Sequence, residues 1–305
     1  MGETQTYQVT GAALWQWRSQ AMAAAIAAGI PPGEVDWLLQ AVTPIDALAL
    51  RLGTLAQQTA VELALPLAQL EALWQQRLRA RVPVQYLVGK THWRDWQLVV
   101  SPAVLIPRPE TELIVDLAIA TVQAASHPTD LAQGPWADLG TGSGAIALGL
   151  AAAFPQAQIY AVDVSAAALA IAACNIAHYQ LQSRIQTYQG TWFEPLTFLR
   201  GQLAGMVANP PYIPTDWIST LQPEVAQHEP HLALDGGIDG LAAVRHLIQA
   251  APAYLRAGGV WLVELMVGQA AIVANALQQH GQYDQIRIHT DWAGIDRFVS
   301  AYRVG

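Results

Sequence analysis

The sequence predicts an α/β chain built on a mostly parallel sheet, and three observations predict it. From Trp136 onward, short apolar runs alternate with helix-length, Ala-rich segments, the pattern of strands joined by crossover helices. A glycine-rich turn, Asp138 to Ala145, joins the first of those runs to the first of those helices. The last two apolar runs, Gln285–His289 and Arg297–Tyr302, are separated by too few residues for a crossover helix, so they pair antiparallel and end the sheet as a hairpin.

The region before the sheet is helical. Gly11 to Ala28 is Ala-rich, and Gly29-Ile30-Pro31-Pro32 ends it,. Pro32 suits the first turn of a second helix bearing Val35, Leu38 and Leu39,. Thr43-Pro44 reads as cap and first turn for Ile45 to Leu52, and Pro66 opens a helix from Leu67 to Arg81. Trp15, Trp17, Trp37 and Trp74 are expected to pack between these helices,. Arg77, Arg79 and Arg81 read as a solvated basic face,. Val82-Pro83-Val84 breaks the pattern, which places a helical N-terminal domain at 1–82 and a connecting β-hairpin segment at 83–100. In that segment Tyr86–Gly89 and His92–Val100 are the expected strands,. The main domain is 101–305, opening with an extended, proline-held stretch from Leu105 to Glu112 and a helix from Glu110 to Ala125.

The sheet strands follow in order: Trp136–Leu139, Gln158–Asp163, Ile185–Tyr188, Met206–Ala208, Val260–Leu265 and the closing pair. Helices at 145–154, 166–179 and 241–255 lie between them.

Composition narrows the function. Net charge is −8 and only 12% of residues are charged, which argues against a duplex DNA binder held by phosphate contacts. The single cysteine, Cys174, rules out an internal disulfide and fits a reducing compartment,. It sits in an Ala-rich helix and is expected to be a small core residue,. With no basic-then-apolar leader and no apolar run of about 18 residues, a soluble cytoplasmic protein away from membranes is expected. The eight histidines are scattered, and no metal-ligand spacing appears.

Two motifs carry chemistry. Gly140-Thr141-Gly142-Ser143-Gly144 opens a helix, where a turned backbone presents free N–H groups to a carboxylate or phosphate,. Asp163 ends the next strand, about 20 residues on, where an acid takes ribose hydroxyls,. Together they predict a nucleoside-containing cofactor. S-adenosylmethionine and NAD both fit, because Gly140, Gly142 and Ala145 also match the dinucleotide pattern,. Trp192-Phe193 suits an adenine wall and the core equally. The second motif is Asn209-Pro210-Pro211-Tyr212, after an apolar strand. Its prolines make a stiff loop at a strand's carboxyl end. The Asn209 side-chain oxygen and the Pro210 carbonyl are two acceptors beside a tyrosine face, suited to a flat neutral NH2 group,.

Asn209 to Tyr212 after the fourth strand, with Gly140 to Gly144 after the first, resembles a class I, Rossmann-like S-adenosylmethionine-dependent methyltransferase with its seven-stranded sheet. Pro83-Val84-Gln85-Tyr86-Leu87-Val88-Gly89, Ile106-Pro107-Arg108-Pro109-Glu110-Thr111-Glu112, His228-Glu229-Pro230, Gly237-Ile238-Asp239-Gly240-Leu241 and Gly294-Ile295-Asp296-Arg297 extend the likeness. The series is similar to that of the peptide chain release factor N5-glutamine methyltransferases, the PrmC/HemK family, over nearly the whole chain. The resemblance implies that Gly140, Thr141, Gly142, Ser143, Gly144, Asp163, Trp192 and Asn209 bind S-adenosylmethionine. It implies that Asn209, Pro210, Pro211 and Tyr212 hold the glutamine of a release factor's Gly-Gly-Gln motif, with Asn209, Pro210 and Tyr212 serving catalysis. It also implies that the helical domain docks the factor, with no metal and no direct nucleic-acid contact. Glu229 is the nearest acid for a supporting role and fits a structural loop residue better. Thr191 stands where the family commonly has an acid, Met266 where a glycine is usual, and Val299–Tyr302 replaces a Leu-Gly-Arg ending. An adenine-N6 methyltransferase, a nicotinamide oxidoreductase and a non-catalytic binding protein are the rival readings. The acidic balance and the Asn-Pro-Pro-Tyr box weigh against them.

Overall fold

The computed structural model describes residues 6–305, and they form two compact units, the first ending at Gly89 and the second beginning at Lys90. The 83–100 segment is thus divided between the units.

The first unit contains β1 (Tyr7–Val9), α1 (Gly11–Ala27), α2 (Gly33–Val42), α3 (Ala47–Leu52), β2 (Val61–Leu63), α4 (Leu67–Ala80) and α5 (Val84–Val88). Thr10 caps α1 by accepting from the Ala13 amide at 3.2 Å,. The cap of α3 is Asp46, accepting from Ala49 N at 2.7 Å, and not Thr43. The Thr43 hydroxyl is turned back onto the Leu39 carbonyl at 2.7 Å. Leu14, Leu38, Leu39, Leu70 and Trp74 meet in one core. Trp17 is buried with them, and Trp15 and Trp37 pack against them. The tiny β1–β2 ladder, Tyr7 opposite Leu63, has no counterpart in the sequence reading because three-residue strands show no period,. Two further expectations are corrected here. Tyr86–Gly89 is not a strand: Pro83 starts the short helix α5, and Gly89 ends it at φ 74°,. The basic face at Arg77–Arg81 does not exist as such. Arg77 is buried and paired with Glu34, and Arg81 donates to the Ala28 carbonyl.

The second unit opens with a hairpin of β3 (Lys90–Trp93) and β4 (Trp96–Val99). Then come α6 (Leu113–Ala124), α7 (Pro128–Gln133), β5 (Trp136–Leu139), α8 (Ala145–Ala153), β6 (Ile159–Asp163) and α9 (Ala166–His178). They are followed by β7 (Ile185–Gln189), β8 (Leu203–Ala208), α10 (Pro223–His228), α11 (Ala242–Ala250) and β9 (Leu255–Glu264). The unit ends with α12 (Ala270–His280), β10 (Tyr283–Thr290) and β11 (Asp296–Arg303). Seven strands form one sheet in the order β10-β11-β9-β8-β5-β6-β7. Its ladders are parallel from β9 to β7, and β11 runs against both of its neighbours, as the hairpin requires. Burial on both faces explains the unbroken apolar runs. One face packs on α6, α8 and α9, and the other on α11 and α12. The helix expected to reach Leu255 stops at Ala250, because Pro252 ends it in a short 3-10 turn and Leu255 already begins β9. Cys174 is exposed on α9 and is not a core residue. Among the described residues no helix is long and apolar enough to cross a membrane.

Candidate active site

The chain runs from β5 through β6 to β7 on one side of the sheet, then returns to β8 and β9 on the other. The connections leaving β5 and β8 therefore diverge, and a crevice opens outside the strands' carboxyl ends. A cavity of about 420 Å³ lies there, within the range of small-molecule sites,. Gly140, Thr141, Gly142, Ser143, Asp163, Trp192, Asn209 and Pro211 all line it. Pro210 is buried, Tyr212 is partly exposed, and neither is in the cavity wall, nor is Gly144.

The loop after β5 holds its shape through glycine geometry and one carboxylate. Gly140 and Gly144 stand at φ 81° and 83°, in the left-handed region that costs an L side chain about 1–2 kcal/mol. A Cβ on Gly144 would also press on the Ala172 Cβ at 3.3 Å. Asp163 accepts from Gly142 N and from Ser165 N, both at 2.9 Å. Each oxygen keeps a lone pair for a further donor. Burial pushes the Asp163 carboxyl up, and the backbone amides oppose it. From behind, Asn175 donates to the Ser143 carbonyl at 2.9 Å and to the Val99 carbonyl at 3.0 Å. It thereby ties the loop to the hairpin. Trp192 and Phe193 divide the two roles open to them. Trp192 lines the cavity, 3.6 Å from where a Gly140 Cβ would stand, at the unusual φ of 51°. Phe193 is buried and stacked on Tyr254.

The β8 side is held by a polar cluster. Asn209 Nδ2 donates to Thr111 Oγ1 at 3.2 Å. Gln269 Nε2 donates to the Tyr212 carbonyl at 3.0 Å, which fastens the end of the proline loop. Glu264, the last residue of β9, is buried. Burial pushes its carboxyl up to about 7, against the hydroxyls of Thr111 and Tyr212 and the charge of Arg297. Burial likewise drives the Tyr212 phenol far above its ordinary value.

Four residues that the sequence reading gave no site role belong to this architecture. Arg108 lines the cavity as its single cationic side chain among the described residues, paired with buried Glu229 at 2.7 Å. Burial raises the Glu229 carboxyl and Arg108 opposes that rise. Thr111 lines the cavity from the same segment. Asp138 is fully buried under the loop, accepting from Thr141 Oγ1 at 2.6 Å and Ala147 N at 3.0 Å. Burial pushes it to about 7, and its Oδ1 has no partner. Their signal was the Pro-Arg-Pro-Glu-Thr-Glu string for two of them, and nothing but strand-end position for Asp138 and Glu264. Among the described residues, no group of three or more His, Cys, Asp or Glu is placed to hold a metal.

This sheet, with a glycine loop after β5 and Asn-Pro-Pro-Tyr after β8, has the fold of class I methyltransferases. Residues 119–238 match the family model described as methyltransferase small domain. The fold is shared with the hMettl16 catalytic domain solved in complex with MAT2A 3'UTR hairpin 6, at 14% identity and a TM-score of 0.54 over 77% of this chain and 80% of that one. Sequence relatives sharpen the class. A release factor glutamine methyltransferase of Synechocystis sp. is 52% identical over 96% of this chain and 97% of its own. Those of Thermosynechococcus vestitus and Gloeobacter violaceus are 48% and 45% identical, over 88% and 94% of this chain and 90% and 96% of their own. The chain belongs to the release factor glutamine methyltransferase family.

Proposed function

We propose that this protein transfers a methyl group from S-adenosylmethionine to the side-chain amide nitrogen, N5, of the glutamine in the Gly-Gly-Gln motif of peptide chain release factors. Family membership supports the reaction. The observation that carries the chemistry is Asn209: its Nδ2 is engaged by Thr111 while the residue lines the cavity. That arrangement leaves Oδ1 for an incoming N–H.

The cavity fits the cofactor by its donor set. The amides of Gly140, Thr141, Gly142 and Gly144 are engaged within the fold, so it is the first turn of α8, at Ala145 and Ile146 in the cavity wall, that offers N–H groups to the methionine carboxylate,. Asp163 keeps lone pairs for ribose hydroxyls, and Trp192 gives a flat wall for adenine. In this reading Gly140, Thr141, Gly142, Ser143, Gly144, Asp163, Trp192 and Asn209 hold the cofactor. Thr191, also in the cavity wall, replaces an acid there with a hydroxyl that still accepts a hydrogen bond,. When bound, S-adenosylmethionine supplies an electrophilic methyl group on a sulfonium.

A glutamine nitrogen is a poor nucleophile because its lone pair is delocalised into the carbonyl. Asn209 Oδ1 and the Pro210 carbonyl accept its two hydrogens, which raises electron density on nitrogen and fixes its aim. They also stabilise the positive charge that develops there. Such fixed geometry supplies several kcal/mol, with about 7–11 as the upper range for well-oriented reactions. Pro210 and Pro211 keep the acceptors rigid, and Tyr212 packs on the amide plane. No general base is needed beforehand, since the proton becomes acidic only as the C–N bond forms. The acid in the cavity wall, Asp163, is committed to the glycine loop.

The helical unit docks the release factor in this account, and the enzyme works in the cytoplasm without touching nucleic acid or membrane. The test is Asn209→Ala: turnover should fall roughly 100-fold or more with the circular dichroism spectrum unchanged. A folded variant at near-normal rate would sink the mechanism.

A further inference from the structure

An asparagine amide can sit either way round, and only one orientation turns its oxygen to a substrate N–H. At Asn209 the choice is made by a neighbour. Nδ2 donates to Thr111 Oγ1 at 3.2 Å, and Thr111 is only 4% exposed. A hydroxyl accepts and donates alike, so by itself it would tolerate either orientation. Its own proton therefore has to be claimed elsewhere. Ala208 and Val263 are partners across β8 and β9, so Asn209, just past the end of β8, and Glu264, the last residue of β9, lie side by side. Glu264 is 2% exposed, and its Oε2 has no hydrogen-bond partner. The Thr111 and Tyr212 hydroxyls both act on this carboxylate. In its ionised form Glu264 only accepts, so it takes the Thr111 proton and leaves Thr111 to accept from Asn209 Nδ2.

We infer that Thr111, backed by the buried Glu264, is a positioning residue that locks the Asn209 side chain with Oδ1 toward the cavity, and so sets the acceptor geometry for the substrate amide. This rests on the amide-methylation reading above. Glu264 steadies both ends of the Asn-Pro-Pro-Tyr box, because Tyr212 shares it with Thr111. Without the hydroxyl, the Asn209 amide is free to turn its NH2 toward the substrate's NH2, donor against donor. Most of the cofactor's contacts in this reading, those of the glycine loop, Asp163 and Trp192, do not depend on that choice, whereas the rate of the bound complex does.

Thr111→Val keeps the side-chain shape and removes both hydrogen-bonding roles, and Thr111→Ser restores them. With the release factor as substrate, Thr111→Val should lower kcat by ~10–100-fold, the penalty of a misplaced reacting group, with cofactor affinity held within about twofold by calorimetry. Thr111→Ser should return most of the rate. An unchanged kcat in folded Thr111→Val, or a Thr111→Ser variant as slow as Thr111→Val, would overturn the inference. If Thr111→Val does not fold, Glu264→Gln reads the same chain. Its amide competes to donate to Thr111 Oγ1, so kcat should drop about 10-fold, and a wild-type kcat overturns the inference equally. Asn209→Ala in the same assay separates the two levels of the account. A slow Asn209→Ala beside a normal Thr111→Val removes only the positioning role. A normal Asn209→Ala removes the underlying mechanism.

Discussion

Asp138 and Glu264 are carboxylic acids buried at the carboxyl ends of neighbouring parts of the sheet, each with one oxygen unpartnered. Burial raises both to about 7, well above their unfolded values near 4. The folded state therefore binds these protons more tightly than the unfolded chain. Their contribution to stability is fully present below about pH 4 and is lost as pH rises through about 7. Asp138→Asn keeps an acceptor for Thr141 and Ala147 and carries no charge. The variant should gain on the wild type between pH 5 and pH 8 in cofactor-free melting experiments, by up to a few kcal/mol. Parallel melting curves for the two proteins over that range would contradict it. Asp163 has a different task, since both of its oxygens hold backbone amides of the cofactor side. Asp163→Ala should weaken S-adenosylmethionine binding about 10-fold or more, and unchanged affinity by calorimetry would remove it from the site. These residues also show where sequence reading stops. Asp163 was legible because an acid at the end of the second strand follows a glycine loop at a known spacing. Asp138 and Glu264 were visible only as strand ends. A carboxylate's burial is decided by neighbours far along the chain.

At the level of elements, the strand–helix alternation from Trp136 to Leu265 was legible because buried parallel strands are short, unbroken apolar runs. The antiparallel closing pair was legible from its short link. What escaped was local structure without a period: the three-residue ladder of β1 and β2, the one-turn helix α5, and the six-residue α7. The Thr43-Pro44 pair marks the approach to the third helix, but Asp46 caps it, because its side chain reaches the Ala49 amide. A tight joint in the sheet is Trp136 against Gly205, paired across β5 and β8. A Cβ on Gly205 would lie 2.3 Å from the Trp136 ring, and that ring is fully buried. Gly205→Val should cost about 3 kcal/mol or more by overpacking, seen as a lower urea midpoint. A midpoint equal to wild type would mean the two strands can part locally without loss.

For the whole molecule, the family was legible because its motifs run in one order from Pro83 to Arg297, and a relative aligned over 96% of the chain agrees with that reading. The pairing of Thr111 with Asn209 was not legible, since 98 residues separate them and only the folded sheet brings them together. Ligand binding ties site and stability. At about 100 times its Kd, S-adenosylmethionine should add ~2.7 kcal/mol, and a chain of this length should melt several degrees higher. NADH should give no such shift. The central claim, methyl transfer to one glutamine, is tested most directly by incubating the enzyme with labelled S-adenosylmethionine and three acceptors. These are a purified release factor, the same factor with its motif glutamine replaced, and adenine-containing DNA. The account predicts label on the unaltered factor alone. Label that survives replacement of the glutamine, or that appears on the DNA, would contradict it.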